Sequence, residues 1–171
     1  LVISAEEKIF LEKMMKKKDI KYIPFGVDND FWNPKKIKIE EEYIFAIGND
    51  KSRDWKTLID SWEPSLPTLK IVTSKPVNNY KKNIQIIMGD WKKNLLTDEQ
   101  ILSLYVGSKF VVIPLTDTIQ PAGQSVCLQA MSCLKPVIMS NISGLWDPTK
   151  LIHRENIFLV KPGNSTLLNS S

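Results

Sequence analysis

Residues 109–139, KFVVIPLTDTIQPAGQSVCLQAMSCLKPVIM, leave few architectures open. Residues 110–115 are a short apolar run rich in β-branched side chains, residues 136–139 are another, and between them Val126, Ala130 and Met131 recur at helical spacing. The pattern predicts a buried strand, a helix and a second buried strand, which is a βαβ unit. The connection at residues 116–125 is longer than such a turn requires, and it carries Asp117, Thr118, Gln120, Gly123, Gln124 and Ser125. A helix start offers unpaired N–H groups and the positive end of its dipole, which suits a phosphate. Most helix starts in α/β domains bind nothing, so this loop nominates a site without identifying a ligand.

The same grammar extends over most of the chain. Apolar runs at 43–47, 69–72, 84–88, 110–115, 136–139 and 157–160 alternate with helical or polar stretches. That alternation predicts an α/β, Rossmann-like parallel sheet of about six strands with helices on both faces. Asp54 is placed to cap a helix over 55–62, and Thr97 with Gln100 forms a capping box ahead of residues 101–106. Ser4 with Glu7 forms another, opening a helix with Phe10, Leu11, Met14 and Met15 on one side and Lys16, Lys17 and Lys18 in its last turn. That basic turn reads as a solvated helix end, with a lipid or nucleic-acid contact as the alternative. Residues 1–3 read as the end of a strand, residues 21–24 as a short strand, and residues 29–42 as a linker, because Pro34 and a charge reversal leave no period there. Residues 73–83 have room for a short helix at most, and residues 141–156 are long for a single helical crossover.

Six strands wound in the commonest order bring the first and fourth together where the winding reverses, and ligands bind beyond the carboxyl ends of those strands. The loops there are 48–54 and 116–125. The first, GNDKSRD, supplies Gly48 for close backbone approach and Lys51, Arg53 and Lys56 as cations. Arginine meets phosphate oxygens with a planar fork and lysine meets them as a point charge. The alternative for Arg53 is a surface pairing with Asp50 or Asp54, of the kind that contributes at most about 1 kcal/mol.

Composition narrows the partners. The chain has 171 residues, 43% of them hydrophobic, which is enough for one ordinary core. A formal charge of +4 is too weak to argue for nucleic acid, and it suits an anionic ligand or the inner face of an anionic membrane. Cys127 and Cys133 share one predicted helix with no histidine near, so neither a zinc site nor a disulfide framework is indicated, and a reducing, cytoplasmic setting fits. Neither a membrane-span pattern nor a signal-peptide pattern is visible, and the chain opens at Leu1, inside a strand pattern, like a piece of something longer. GxxxxGK[ST], GxGxxG and GxSxG do not occur, and the lone His153 suits a structural role better than a catalytic one.

Several stretches together resemble the retaining GT-B glycosyltransferases of the family 4 type. Ile23-Pro24-Phe25-Gly26-Val27-Asp28 followed by Phe31 is similar to the turn joining their two domains. Phe45 to Gly48, then Arg53-Asp54-Trp55 and Leu58, resembles the first strand and loop of their C-terminal domain. Gln120-Pro121-Ala122-Gly123-Gln124-Ser125, continuing through Leu128-Gln129-Ala130-Met131 to Lys135-Pro136-Val137, is similar to the nucleotide-sugar loop. Gly144 and Asn156-Ile157-Phe158-Leu159-Val160 with Pro162-Gly163-Asn164 resemble the closing signatures, so the likeness runs over nearly the whole chain in order.

The resemblance implies transfer of a sugar, with retention, from a UDP- or GDP-sugar to a glycan, lipid-linked or small-molecule acceptor, without a metal or other cofactor. It implies that residues 1–28 are the end of an N-terminal domain, 29–42 an interdomain linker and 43–171 the nucleotide-sugar-binding domain, cut short at its C-terminus. Carried over, Gly48, Asn49, Arg53, Gly123, Gln124 and Ser125 would hold the diphosphate, Gln120 and Gln129 the sugar and ribose, and Gly89 with Asp90 the base. Arg53 and Gln129 would be catalytic. Gln129 stands where the family has the second of two glutamates, the first has no clear counterpart, and Asn49 replaces the basic residue usual after Gly48. Leu134 stands where the family has glycine at the helix end, so its backbone must avoid the left-handed region or bear strain. A non-catalytic binding or interaction module on the same fold is the alternative. Sugar transfer by these residues alone is not expected, because the acceptor must be held against the reacting carbon.

Overall fold

A computed structural model describes residues 1–16, 19–36, 42–89 and 95–163. Six strands form one sheet: β1 (Tyr43–Ile47), β2 (Thr68–Thr73), β3 (Ile84–Met88), β4 (Ser108–Ile113), β5 (Val137–Ser140) and β6 (Phe158–Val160). Their order is β3-β2-β1-β4-β5-β6, with every pair parallel, so β1 and β4 adjoin where the winding reverses. Each strand runs within two residues of its expected place. β4 starts two residues early, and it stops two residues early because Pro114, which has no N–H to give a ladder, ends the pairing.

The helices divide between the faces. α2 (Trp55–Ser61) buries Trp55, Leu58 and Ile59 on one face, against Ile44, Ala46, Leu69 and Ile71. α3 (Asp98–Gly107) and α4 (Gln124–Ser132) cover the other, where Leu102, Tyr105, Cys127 and Ala130 meet Phe45, Val111 and Ile113. The expected caps are present. Asp54 accepts from the Thr57 N–H at 3.0 Å, and Thr97 and Gln100 exchange both bonds of a capping box. Residues 74–83 and 141–157 contain no helix. The second stretch crosses the sheet as a series of turns that bury Ile142, Leu145, Trp146 and Leu151.

The N-terminal segment rides outside this unit. α1 (Ala5–Met15) is capped by Ser4, which accepts from the Glu7 N–H, and it buries none of its residues; Phe10, Met14 and Met15 are exposed. Val2 pairs in parallel with Tyr22. Among the bonds that tie the segment to the sheet unit are those from the Ala5 N–H to the Trp146 carbonyl at 2.9 Å and from Gln124 Nε2 to the Ile3 carbonyl at 2.8 Å. Lys17 and Lys18 of the expected basic turn, residues 37–41 of the linker and residues 164–171 lie outside the described residues.

One part of the expected linker belongs to the core. Trp32 is 8% exposed and stacks edge-on against Tyr105, with ring centroids 5.7 Å apart. The Ser132 hydroxyl donates to its carbonyl at 2.6 Å. The segment is therefore docked along α4, although it has no period by which that could be read. Among the described residues no helix is long and apolar enough to cross a membrane.

Candidate functional site

The loops after β1 and β4 are stitched into one structure. Arg53 forms an antiparallel bridge with Leu115. The Asp54 N–H donates to the Pro114 carbonyl at 3.1 Å, and the Thr116 N–H to the Ser52 carbonyl at 2.9 Å. This lacing swings the Arg53 side chain inward, to 9% exposure. Its Nε lies 3.3 Å from Asp50 Oδ2, yet the contact lacks hydrogen-bond geometry, and Nε and Nη1 are both buried without a hydrogen-bond partner. Burial lowers the pKa of the guanidinium more than Asp50 raises it. A guanidinium nonetheless stays protonated, so the fold carries a buried cation with one exposed carboxylate beside it. The surface pairing weighed from the sequence is present in its partner only; the arginine itself is inside.

Two glycines make room for that cation. A Cβ on Gly48 would fall 1.8 Å from Arg53 Nε, so only glycine fits beneath the guanidinium. A Cβ on Gly123 would fall 3.4 Å from Nη1 and 2.9 Å from the Ile113 side chain. Gly123 also has φ of 77° and is the N-cap of α4, so its backbone favours glycine on its own account. The first amides of α4 have no intrahelical acceptor, as at any helix start.

A cavity of about 290 Å³ opens at this point, lined among others by Gly48, Arg53, Ser125 and Gln129, with Trp32 and Ile101 as apolar wall. Asp50 and Asp98 stand at its rim, both exposed. Grooves of about 650 and 600 Å³ lie elsewhere, along Phe25 to Lys35 and beside Tyr80. Volume does not choose between them. Of these three, and among the described residues, the smaller cavity alone holds a buried charge without a hydrogen-bond partner.

The residues nominated from sequence divide here. Gly48, Asn49, Arg53, Ser125 and Gln129 line the cavity, and Gly123 adjoins it through Arg53. The Gln124 side chain is buried and turned to Ile3, which leaves only its backbone N–H for a ligand. Gln120 is exposed and does not line the cavity. Asn49 is engaged at both ends: Oδ1 accepts from the Ser74 N–H at 2.6 Å, and Nδ2 donates to the Gly89 carbonyl at 2.8 Å. It therefore fastens the ends of β1, β2 and β3 together. Gly89 serves as its acceptor, and Asp90 lies outside the described residues.

Tyr105 was not legible as a site residue. Its ring is fully buried against Trp32 and Phe45, and its hydroxyl donates to Gln129 Oε1 at 3.1 Å. Burial pushes its pKa well above the usual tyrosine value, so the phenol remains a donor. Its place four residues after Ile101 marked it as core; nothing local marked its hydroxyl. His153 takes no part: its Nδ1 accepts from the Leu159 N–H at 3.0 Å, on β6. Cys127 and Cys133 are buried free thiols, pushed by burial to about 12 and about 11 respectively. Among the described residues no group of three His, Cys, Asp or Glu side chains is placed to hold a metal ion.

No family model and no curated protein sequence matches this chain. Solved structures do match it in fold. A glycosyltransferase from Rickettsia africae superposes with a TM-score of 0.73 at 16% identity, covering 97% of this chain and 50% of that one. Anabaena Alr3699/HepE in complex with UDP gives 0.68 at 17%, covering 98% and 50%. TarM gives 0.66 at 16%, covering 91% and 32%. The sheet is thus that of GT-B glycosyltransferase domains, and the chain spans half or less of the length of these proteins.

Proposed function

We propose that the cavity beside Arg53 binds the diphosphate of a UDP- or GDP-sugar, and that this chain is the donor-binding half of a retaining glycosyltransferase. The observation that carries the proposal is the buried guanidinium whose Nε and Nη1 lack hydrogen-bond partners, held between Gly48 and Gly123 at the carboxyl ends of β1 and β4. An uncompensated buried charge is costly, and an anion arriving at Arg53 relieves that cost in the bound state. Asp50, exposed and only in ion-pair contact, is the partner it would replace. A similar fold in complex with UDP supports the choice of anion.

In this reading Arg53 and the first amides of α4, at Gln124 and Ser125, take up negative charge on the departing diphosphate, a preorganised electrostatic role. Gly48 and Gly123 let the phosphates approach, Gln129 contacts the donor from α4, and the base lies toward Gly89. Asn49 acts by bracing the loop; Gln120 would reach the sugar only if its loop closes over it. Residues 1–28 and 29–42 are the end of an acceptor-side domain and a linker, the acceptor is a glycan, lipid-linked or small molecule, and the protein works in the cytoplasm or at the inner face of the membrane. Because a fixed guanidinium stands where a divalent ion would otherwise neutralise the leaving group, turnover by the full-length protein is expected to survive EDTA. Loss of turnover, restored by Mn²⁺ or Mg²⁺, would place it in a different class.

The reading is tested by calorimetric titration of the full-length protein with UDP and GDP. Arg53→Ala should weaken binding by about 1.5–3 kcal/mol, the range for a lost charge-assisted contact. Equal affinities in wild type and variant would remove the site. A second reading, a binding module that has lost the chemistry, is favoured by Asn49 being wholly engaged in the fold and by the neutral Gln129. It predicts nucleotide binding without turnover.

A further inference from the structure

We infer that Tyr105 is a positioning residue that locks Gln129 as a hydrogen-bond donor to the bound molecule, so that this position of the cavity takes an anionic oxygen. The inference rests on the diphosphate reading above and adds the chemistry of one wall. Gln129 Oε1 is occupied by the Tyr105 hydroxyl at 3.1 Å. Its Nε2 has no hydrogen-bond partner among the described residues, and the residue lines the cavity with Ser125, one helical turn before it.

The direction of the Tyr105 bond follows from its surroundings. A hydroxyl can donate or accept, and an amide can turn over, so the pair alone is ambiguous. The Arg53 charge resolves it: the guanidinium acts electrostatically on the same phenol, and it has donors only. A nearby positive charge favours a hydroxyl that turns its proton away from it, and the Tyr105 proton is directed to Gln129 Oε1. The ring cannot swing away, because Trp32 and Phe45 pack edge-on against it at centroid distances of 5.7 and 5.1 Å. The Tyr105 hydroxyl therefore occupies Gln129 Oε1, which leaves the two Nε2 protons for the cavity.

Charge supplies the second argument. The rim already carries Asp50 and Asp98 against the single buried Arg53. A carboxylate at position 129 would accept the same bond from Tyr105 and place a further negative oxygen in the cavity. The neutral amide avoids that, so glutamine here is suited to an anion where glutamate would be suited to a hydroxyl's proton.

The experiment is equilibrium titration of the full-length protein with UDP, comparing wild type, Gln129→Glu, Gln129→Met, Tyr105→Phe and the Tyr105→Phe/Gln129→Met double variant, with Arg53→Ala as reference. Gln129→Glu should weaken UDP by about tenfold or more, as expected when a donor to a charged group becomes a like charge. Tyr105→Phe keeps the ring and should weaken it severalfold, and it should have no further effect once Gln129 is Met, because a residue acting through another shows full coupling to it. A purely structural Tyr105 would instead add its effect to that of Gln129→Met, and that result overturns the inference. Equal or tighter binding by Gln129→Glu also overturns it. If Arg53→Ala weakens UDP while these variants do not, the inference fails and the diphosphate site stands; if wild type does not bind UDP or GDP, both fail.

Discussion

α4 enters and leaves through left-handed backbone, with Gly123 at φ 77° before its first turn and Leu134 at φ 57° after its last. At the first end glycine is required twice over, by the dihedral and by the space that Arg53 and Ile113 occupy. At the second end the chain forms a full Schellman motif: the Lys135 N–H reaches the Ala130 carbonyl and the Leu134 N–H the Met131 carbonyl, both at 2.9 Å. The residue in the left-handed position there is a leucine, 78% exposed. It gains little from burial and bears the steric cost that glycine would avoid. The comparison separates two reasons for glycine. Near Arg53 the requirement is spatial and belongs to the site; at the far end it is conformational, and the fold tolerates its neglect.

The largest effect expected from this contrast is at Gly123. Gly123→Ala brings the left-handed penalty together with a 2.9 Å contact to Ile113, and it should destabilise the protein by about 2–3 kcal/mol. It should also displace the Arg53 guanidinium and weaken nucleotide binding. Chemical denaturation with a parallel titration measures both, and a variant of wild-type stability that binds normally would show that the glycine is incidental. Leu134→Gly should act in the opposite sense. Relief of strain, less the greater entropy of the unfolded chain, is worth about 0.5–1 kcal/mol, so the melting temperature should rise by about 2 °C. Nucleotide affinity should not move; a lowered melting temperature would mean that the exposed leucine packs on something in the full protein.

These contrasts also mark what the sequence could and could not show. The six strands and the caps at Ser4, Asp54 and Thr97 were legible because a period of two or 3.6 residues and a capping side chain are local signals. The neighbouring places of the loops after β1 and β4 followed from winding order. Leu134 was legible as a conflict, and the conflict resolved as strain. Partners far along the chain were not legible. Trp32 sits in a segment without a period and still reaches Tyr105. Gln124, nominated for a ligand, spends its side chain on Ile3, 121 positions away. Asn49 reads as a missing cation until its bonds to Ser74 and Gly89 are seen. Burial of Arg53 was the least predictable, since the same GNDKSRD loop reads equally well as a solvated ion-pair cluster.

A smaller effect is expected beside the helix entrance, where Asp117 anchors the loop leading to Gly123. Its Oδ1 accepts from the Ser143 N–H at 2.7 Å and its Oδ2 from the Ser143 hydroxyl at 3.0 Å. Those bonds lower the carboxyl pKa below the usual aspartate value, the backbone bond most. A carboxyl whose folded pKa lies below its unfolded one stabilises fully above the ordinary range, near pH 4, and loses that contribution as pH falls through the folded value. Asp117→Asn should therefore melt below wild type at pH 6, and the gap should close as the pH is lowered to about 3. A gap independent of pH would mean that the bonds to Ser143 do not form in solution.

The central claim is that Arg53 is a buried cation waiting for an anion, and the chain permits a direct look at it because its arginines are only Arg53 and Arg154. Arg154 is exposed and does not line the cavity, so it serves as an internal control. Nitrogen-15 spectra of the guanidinium Nε–H groups are recorded while UDP is titrated into the full-length protein with arginine-selective labelling, and the Arg53 and Arg154 signals are assigned by their loss in the Arg53→Lys and Arg154→Lys variants. The account predicts that the Arg53 signal exchanges slowly with water before addition and moves saturably as UDP binds, while the Arg154 signal stays in place. An Arg53 signal that stays fixed while UDP saturates the protein would contradict it.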